Sequence, residues 1–475
     1  MNGFRLLRLF VPLFVVALPV FAQVGPTGVV VAANPSSTPV FNIRAFGAAG
    51  DRQTLDTAAI QRAIDACAAQ GGGTVYFPTG GFLSGTIFLR SNVTLHLSAG
   101  AVLLGSTRID DYPIKHLIYA KDVANIAIEG RGAIDGQGDA FFDSEMKPLP
   151  RPSPLIELWD SRGIAIDNIT VRNAPAWTIH PKNCDDVKIR GVSLLNNLRA
   201  INSDGIGIDS SRNVIVSDCH IEAGDDCIVL KTTKRGDGPV QPTENVVVTN
   251  CVLVSAATAL KLGTESHADF RHILFSNCVI RNSRTGIALL AKDGGVMEDV
   301  RFSNIVMTTA PKWGQGFEWP IVVDIEKRTA ESRLSGMRDV AFSDLTIYSK
   351  GRVMASGLPE SVIEGLSFRN VTFRVGGYET IKTAKKMRGG SKTVADGTPD
   401  YGPTPSAFIF AHIRGLTLDG VSLRWPEADP ANPAPPRHAF YGDRLEQVAM
   451  TGFRGTASLP ATRAVVIENS KDVDP

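Results

Sequence analysis

The residues best suited to chemistry in this 475-residue chain are three aspartates, Asp204, Asp225 and Asp226. Asp204 lies at or just before one short apolar run, and the pair Asp225-Asp226 lies at or just before another. The two runs are about one structural repeat apart. If the runs are neighbouring strands of one stack, the three carboxylates fall on a single surface. Carboxylates this close repel one another, so the pKa of at least one should rise. A protonated carboxyl can then act as an acid beside an ionised one acting as a base, which is the division that cleavage of a glycosidic bond requires.

The same acids also fit simpler roles, which the sequence leaves open. A cluster of carboxylates can hold calcium, because calcium prefers several oxygen ligands. Aspartates are also common in turns. No set of cysteines and histidines has the spacing of a zinc site.

A repeat of short strands positions these acids. Each copy of the repeat contains a short run in which every second residue is apolar. The first apolar residues of these runs, called the repeat starts, are Val93, Ile126, Ile164, Val187, Val214, Val246, Ile273, Val300, Val340, Leu366 and Leu416. From Val187 to Leu366 successive starts differ by roughly 25 to 40 residues, and self-similarity at such a period is typical of a solenoid. No helical pattern lies between copies, so the strands predict an all-β parallel β-helix rather than alternating strands and helices.

Equivalent residues of successive copies should form columns inside such a stack. One bend recurs with an asparagine, and these residues are Asn168, Asn250, Asn277 and Asn304. Three cysteines share another position and predict a buried column of free thiols, namely Cys219, Cys251 and Cys278. Cys227 is left open, either bridged to a neighbour or buried in the core.

The alternation of each strand predicts which residues face inward. Aligning the runs places Ile206 and Ile208 beside Cys227 and Val229, and the inward column continues with Leu260, Leu262, Ile287 and Leu289. The predicted outward residues are Gly205, Gly207, Asp226, Ile228, Ala259, Lys261, Ala288 and Leu290. In this register Asp204 lies beside Asp225 on the next coil, and Asp226 follows on the outer face.

The first residues of the chain resemble an export signal. Arg5 and Arg8 precede an apolar run that is too short to span a bilayer, and Val20-Phe21-Ala22 offers small residues for cleavage. We therefore expect residues 1–22 to be a signal peptide and the mature protein to be secreted or periplasmic. Residues 23–40 are rich in Gly, Pro, Ser and Ala and predict a flexible lead-in.

We expect residues 41–475 to form a single β-helix domain. A segment beginning near Asp56 or Thr57 has apolar residues at helical spacing and ends before Gly71-Gly72-Gly73. An amphipathic helix at this place would cap one end of the stack, which otherwise exposes its core.

The charge balance limits the partners of this protein. The net charge is +1, which argues against nucleic acid or an anionic membrane as a partner bound by bulk charge. No later stretch is long and apolar enough to cross a membrane. We expect a monomer, with no membrane contact once the signal is removed.

Six motifs together make the sequence resemble glycoside hydrolase family 28, the polygalacturonase family. They are Ala45-Phe46-Gly47-Ala48 with Gly50-Asp51, Gly71-Gly72-Gly73-Thr74-Val75, Ile134-Asp135-Gly136-Gln137-Gly138, Trp177-Thr178-Ile179-His180-Pro181, Asn202-Ser203-Asp204-Gly205 and Gly224-Asp225-Asp226-Cys227. The resemblance implies a right-handed parallel β-helix and an inverting hydrolase without a cofactor. It also implies that Asp225 protonates the leaving oxygen while Asp204 and Asp226 activate water.

Two motifs of the family are altered. The family's Gly-His-Gly motif should fall near Ala256-Ala257-Thr258, where Ala257 replaces the histidine. Its Arg-Ile-Lys motif should fall at Ala288-Leu289-Leu290, where neither charge is present. In polygalacturonases that Arg and Lys meet the uronate carboxylate. The resemblance therefore implies a pectin-related substrate with a specificity that has diverged from plain polygalacturonan.

Four residues are the expected substrate contacts, namely Asn202, Lys261, Glu265 and Lys231. Lys261 points outward one coil before Ala288 and could meet a carboxylate as a point charge. Glu265 and Lys231 would contact hydroxyls. We expect His180 and Trp177 to pack or to brace a turn.

Two segments are too long for turns of the repeat, Thr309–Met337 and Gly376–Phe408. Long loops on a rigid scaffold often line a binding surface. Trp313, Phe317 and Trp319 could stack on sugar rings. The second segment carries Lys382, Lys385, Lys386 and Arg388, which a solvated loop explains equally well.

Three hypotheses follow from these observations. The leading one is an exported glycoside hydrolase that acts on a pectin-related polysaccharide or oligosaccharide. The second is a calcium-dependent polysaccharide lyase, in which the aspartates hold the metal. The third is a non-catalytic carbohydrate-binding β-helix.

Overall fold

The computed structural model describes residues 38–312, 317–379, 381, 395, 397–431 and 433–474. Residues 39–475 form one compact unit. The predicted signal peptide, most of the lead-in, Trp313 and the cluster Lys382, Lys385, Lys386 and Arg388 lie outside the described residues. In the described part of the chain, no helix combines the length and apolar character needed to cross a membrane.

The described residues form 35 strands that pair side by side in parallel, with one α-helix, α1 (Thr57–Ala69). The strands before the site are β1 (Val40–Asn42), β2 (Asp51–Leu55), β3 (Gly73–Phe77), β4 (Gly80–Ser84), β5 (Ile87–Phe88), β6 (Val93–Leu97), β7 (Ala101–Gly105), β8 (Ile118–Lys121), β9 (Ala124–Gly130), β10 (Ala133–Asp135), β11 (Ile156–Trp159), β12 (Arg162–Asp167), β13 (Thr170–Arg172), β14 (Ile179–Lys182), β15 (Asp185–Arg190) and β16 (Ser193–Leu195). Three 3₁₀ turns lie among them, at Ile43–Phe46, Ile109–Asp111 and Gly138–Phe141.

The remaining strands carry the site and the coils that follow it. Those around the site are β17 (Ile206–Asp209), β18 (Arg212–Ser217), β19 (His220–Ala223), β20 (Ile228–Thr232), β21 (Thr243–Thr249), β22 (Val252–Ser255), β23 (Thr258–Ser266), β24 (Phe270–Ser283) and β25 (Thr285–Ala291). Those after it are β26 (Val296–Thr309), β27 (Trp319–Ile325), β28 (Gly336–Ser349), β29 (Val353–Ser356), β30 (Ile363–Val375), β31 (Ser406–Asp419), β32 (Ser422–Arg424), β33 (His438–Thr451), β34 (Val465–Glu468) and β35 (Lys471–Asp474).

The chain folds as the right-handed parallel β-helix predicted from the sequence. Each coil hydrogen-bonds to its neighbours about 4.8 Å away and buries one side of every strand. The predicted repeat starts from Ile126 to Leu416 are register partners in unbroken succession. One face of the stack consists of β11, β14, β17, β20, β23, β25, β27 and β29, and we call it the site face.

Stacked side chains fill the core, as the repeat predicts. The rings of four phenylalanines stack at centroid distances of 4.8, 5.1 and 4.7 Å, in the order Phe275, Phe302, Phe342 and Phe368. All six cysteines are free and buried, including the predicted column and Cys227. At the asparagine bend, Asn304 donates a hydrogen bond of 2.8 Å to Asn277.

The predicted register was wrong by one residue on β20. Ile206 pairs with Ile228 rather than with Cys227. Ile228 and Ala259, both predicted to point outward, belong to the core. Cys227 is buried as well because it lies at the bend just before the strand. The outer position of β20 is therefore Val229, which lies between Gly207 and Lys261.

Helix α1 lies where the sequence predicts a helix. It begins after Asp56 and ends at Ala69, and its buried residues are Ala59, Ile60, Ala63, Ile64 and Cys67. The carboxylate of Asp56 does not cap the helix but accepts hydrogen bonds from the N–H groups of Ala49 and Gly50. The function of α1 as a cap for the stack stays a prediction.

Candidate active site

The three aspartates meet where two neighbouring strands of the site face begin. Asp204 precedes β17 and Asp226 precedes β20. The N–H of Gly205 donates to the carbonyl oxygen of Asp226 at 2.8 Å, and Ile206 pairs with Ile228. Asp204 therefore lies level with Asp226 rather than with Asp225 as predicted, because the register of β20 is shifted by one residue. The N–H of Asn202 donates to Oδ2 of Asp225 at 3.2 Å, and the side-chain amide does so at 3.4 Å. The structure thus brings together the residues that the sequence proposes as catalytic.

The three carboxyl groups differ in their access to solvent. Asp204 and Asp226 are buried, whereas Asp225 is half-buried. Burial, together with repulsion from Asp225 and Asp226, raises the pKa of Asp204 well above its usual value. Burial and repulsion from Asp226 also raise the pKa of Asp225. These are the shifts expected of carboxylates that crowd one another.

Asp226 is held by residues of the next coil. Nζ of Lys261 lies 2.8 Å from Oδ2 of Asp226, and the N–H of Thr258 donates to Oδ1 at 3.2 Å. Lys261 is only 6% exposed, so its ammonium group faces the carboxylate rather than open solvent. The substrate contact expected of Lys261 stays a prediction, but the side chain has a partner within the site.

A second ion pair lies beside the first. Nζ of Lys231 lies 2.8 Å from Oε2 of Glu265 and 5.0 Å from the ring centroid of Trp177. Burial would lower the pKa of Lys231, but Glu265 and Asp204 outweigh it and raise that pKa. Burial likewise opposes ionisation of Glu265, but Lys231 lowers the pKa of Glu265 to about 2. Both groups are therefore charged at neutral pH.

One residue that the sequence reasoning missed also faces the acids. Arg284 is half-buried on the turn before β25, two strands beyond Asp226 on the site face. Its guanidinium lies 5.5 Å from the ring centroid of Phe317. Burial lowers the pKa of Arg284, whereas Asp226 and Asp225 act to raise it. The available signal was its position before an apolar strand, the same position that the aspartates occupy.

The altered Arg-Ile-Lys positions lie in an apolar cluster on the outer side of the site face. Ala288 and Leu290 are fully buried there with Trp319, and Phe317 packs against them. Trp319 is 4% exposed and is covered by the guanidinium of Arg352. The prediction that Trp319 stacks on sugar rings is therefore wrong, whereas Phe317 keeps a partly exposed ring.

The residues expected to brace the site do so through buried charges. Nδ1 of His180 lies 2.7 Å from Glu157, and Nε2 lies 3.4 Å from Asp209. Burial opposes protonation of His180, but Asp209 and Glu157 outweigh it and raise the pKa of the imidazole. Lys182 lies 3.1 Å from the same Asp209. The ring of Trp177 packs 5.1 Å from His180. This network fixes the strands next to the aspartates.

Fold and site together define a parallel β-helix with three clustered aspartates at the start of two adjacent strands. Among the residues that the structure describes, no group of three or more His, Cys, Asp or Glu is arranged to hold a metal ion. The charges that surround the aspartates come instead from Lys261, Lys231 and Arg284.

Comparison with known proteins identifies the family. Residues 67–386, more than half of the chain, match the family described as Glycosyl hydrolases family 28. The chain therefore belongs to glycoside hydrolase family 28.

Two curated relatives show how far the similarity extends. A probable polygalacturonase of Vitis vinifera is 34% identical over 249 residues, which cover 46% of this chain and 50% of that protein. An exo-poly-alpha-D-galacturonosidase of Dickeya chrysanthemi is 28% identical over 298 residues, which cover 50% of this chain and 49% of that protein. The chain thus spans about half the length of these relatives.

A solved structure supports the fold. The crystal structure of a hyperthermoactive exopolygalacturonase from Thermotoga maritima matches with a TM-score of 0.65 at 20% identity, covering 81% of this chain and 92% of that one. At this identity the match shows the shared β-helix and nothing finer.

Proposed function

We propose that this protein is a glycoside hydrolase that cleaves a pectin-related polysaccharide or oligosaccharide with inversion of configuration. The observation that carries the proposal is the meeting of Asp204, Asp225 and Asp226 at the start of two adjacent strands. Membership of family 28 and the names of its relatives support a substrate of the pectin class.

The three aspartates divide the reaction between them. Asp225 is the half-buried member with a raised pKa, so it holds a proton that it can donate to the glycosidic oxygen. Asp226, which lies 2.8 Å from Nζ of Lys261, accepts a proton from the attacking water, and Asp204 helps to orient that water. The water oxygen bonds to the anomeric carbon as the bond to the leaving sugar breaks. Attack from the opposite face inverts the anomeric centre.

We also propose a specificity that differs from plain polygalacturonan. The Arg-Ile-Lys positions carry Ala288 and Leu290, which are buried in an apolar cluster. Lys261 and Lys231 are engaged with Asp226 and Glu265. The cations near the aspartates therefore differ in position and in pairing from those that the family pattern places there.

The place of action is part of the proposal. The signal-like residues 1–22 support export, to the periplasm or out of the cell. We further propose that the mature protein acts as a monomer without membrane contact. Fractionation of a host that expresses the full chain, followed by light scattering of the purified mature protein, checks both points.

Product analysis tests the proposed activity. The mature protein is incubated with polygalacturonan, rhamnogalacturonan, arabinogalactan and their oligosaccharides, beside Asp225→Asn. Asp186→Asn is a matched control, because Asp186 is an exposed aspartate on strand β15. We expect saturated sugar from one substrate class, a loss of about a hundredfold to ten-thousandfold in Asp225→Asn, and full activity in the control.

The two rival hypotheses give different results in the same experiment. A calcium-dependent lyase yields unsaturated, ultraviolet-absorbing products and stops when a chelator is added. A binding protein retains saccharide without releasing any product. Either result would contradict hydrolysis.

A further inference from the structure

The ion pair between Lys261 and Asp226 joins neighbouring coils at the centre of the site. Lys261 lies on β23 and points out of the core, beside the outer position of β20. Its Nζ approaches Oδ2 of Asp226 to 2.8 Å, while Oδ1 accepts the N–H of Thr258 at 3.2 Å. Each oxygen of this buried carboxylate therefore has a donor, and one of the two donors is a cation.

Within the described residues, the other two aspartates have no comparable partner. Asp225 accepts hydrogen bonds at Oδ2 from the backbone and side-chain amides of Asn202, both of them neutral donors. Oδ1 of Asp204 is buried and has no hydrogen-bond partner among the described residues. Charge-assisted hydrogen bonds favour the ionised form of a carboxyl group more strongly than neutral ones do. The three carboxyl groups are therefore not equivalent.

From this difference we infer that Lys261 is a positioning residue, which selects Asp226 as the ionised base and holds its carboxylate toward the attacking water. The inference rests on the proposed function and assigns to Lys261 a role other than contact with the substrate. The charged groups that face the pair are Asp204, Asp225, Lys231, Glu265 and Arg284.

The proton balance fits this arrangement. Asp226 takes the proton of the water as its oxygen bonds to the anomeric carbon, and Lys261 keeps its own proton throughout. Asp225 gives its proton to the leaving oxygen. After product release, Asp226 passes its proton to solvent and Asp225 regains one, so the site returns to its initial state.

Kinetics as a function of pH distinguishes a positioning residue from a substrate ligand. In Lys261→Met we expect kcat to fall at least about tenfold and the acidic limb of kcat/KM to move up by about one pH unit. We expect KM to change less than about threefold, because the substrate contacts remain. Lys261→Arg should restore most of kcat and return the limb toward its original position, because it keeps the cation.

A surface lysine supplies the matched control. Lys188 pairs with Asp186 at the same 2.8 Å, but both side chains are about half exposed. Lys188→Met should leave kcat, KM and the pH profile unchanged. The inference is overturned if Lys261→Met raises KM while kcat and the acidic limb stay as in the wild type.

A second measurement needs neither substrate nor a lysine variant. The carboxyl carbons of the wild-type protein, labelled with ¹³C at aspartate, are titrated by NMR, and Asp204→Asn, Asp225→Asn and Asp226→Asn assign the signals. We expect Asp204 and Asp225 to titrate at a higher pH than the aspartate that is paired with Lys261. If Asp226 titrates above Asp225, the inference fails whatever the enzyme does. If no saccharide is cleaved, the proposed function fails, and this titration still decides whether Asp226 is the aspartate that ionises first.

Discussion

The backbone and side-chain amides of Asn202 both point at Oδ2 of Asp225, at 3.2 and 3.4 Å. Oδ1 of the same Asn202 accepts a hydrogen bond of 3.4 Å from Arg151, which orients the amide. Asn202 therefore links the proposed acid to a loop that precedes the site. Donors of this kind stabilise the ionised form of Asp225 and make it a stronger acid than burial alone would allow.

Removing the Asn202 side chain should make Asp225 a weaker acid while the site stays folded. Asn202 has φ of 59°, a left-handed conformation that glycine adopts freely, so Asn202→Gly is preferable to the alanine variant. We expect kcat to fall by about three- to thirtyfold. The alkaline limb of the pH profile should move upward, because one donor to the carboxylate is lost. An unchanged profile would show that the Asn202 side chain does not act on Asp225.

The Lys231–Glu265 pair should make stability depend on pH. The pKa of Glu265 falls from its usual 4.5 to about 2 in the folded protein. A carboxyl group whose pKa is lower in the folded protein stabilises the fold at pH values above its unfolded-state pKa. This contribution is lost as the pH falls from about 4.5 toward 2. At pH 7 we expect Glu265→Gln to lower the free energy of unfolding by about 2 kcal/mol. Denaturant titrations should show that the difference in free energy of unfolding between the wild type and Glu265→Gln becomes smaller as the pH approaches 3.

An exposed ion pair is the control for that experiment. Glu145 and Lys147 also form a close pair, but their side chains are about 70% exposed. Glu145→Gln should change the free energy of unfolding by less than about 0.5 kcal/mol. Equal effects of the two variants would contradict a special stabilisation at the site.

The phenylalanine stack should dominate the stability of the middle coils. Phe302 lies between Phe275 and Phe342, and its side chain is almost fully buried. Phe302→Ala leaves a cavity and breaks two ring contacts, so we expect a loss of about 3 to 5 kcal/mol. Phe302→Leu fills more of the space and should lose less. A loss below about 1 kcal/mol in the alanine variant would show that the stack relaxes around the cavity.

The β-helix and the meeting of the aspartates could be predicted because the repeat constrains both. One apolar residue per coil must face the core at the same place, so the sequence alone aligns Ile126 with each later start through Leu416. Asp204 and the pair Asp225-Asp226 precede neighbouring strands, which brings them together in any acceptable register.

The side-chain partners could not be predicted in the same way. Alternation allows either Cys227 or Ile228 to take the first inward place, because both are apolar and a slip of one residue exchanges the faces of the strand. The pairing of Lys261 with Asp226 depends on the path of two side chains across a coil, which no periodicity specifies. Arg284 was missed because alternation within a strand does not indicate where the side chain of a preceding turn residue points.

The division between acid and base can be tested most directly through the leaving group. A saccharide with an aryl leaving group of low pKa needs little help from an acid but still needs the base. We expect Asp225→Asn to slow the natural saccharide by at least about a hundredfold and the aryl substrate far less, while Asp226→Asn slows both. Equal losses on the two substrates in Asp225→Asn, or full activity in Asp226→Asn, would contradict the assignment of Asp225 as the acid and Asp226 as the base.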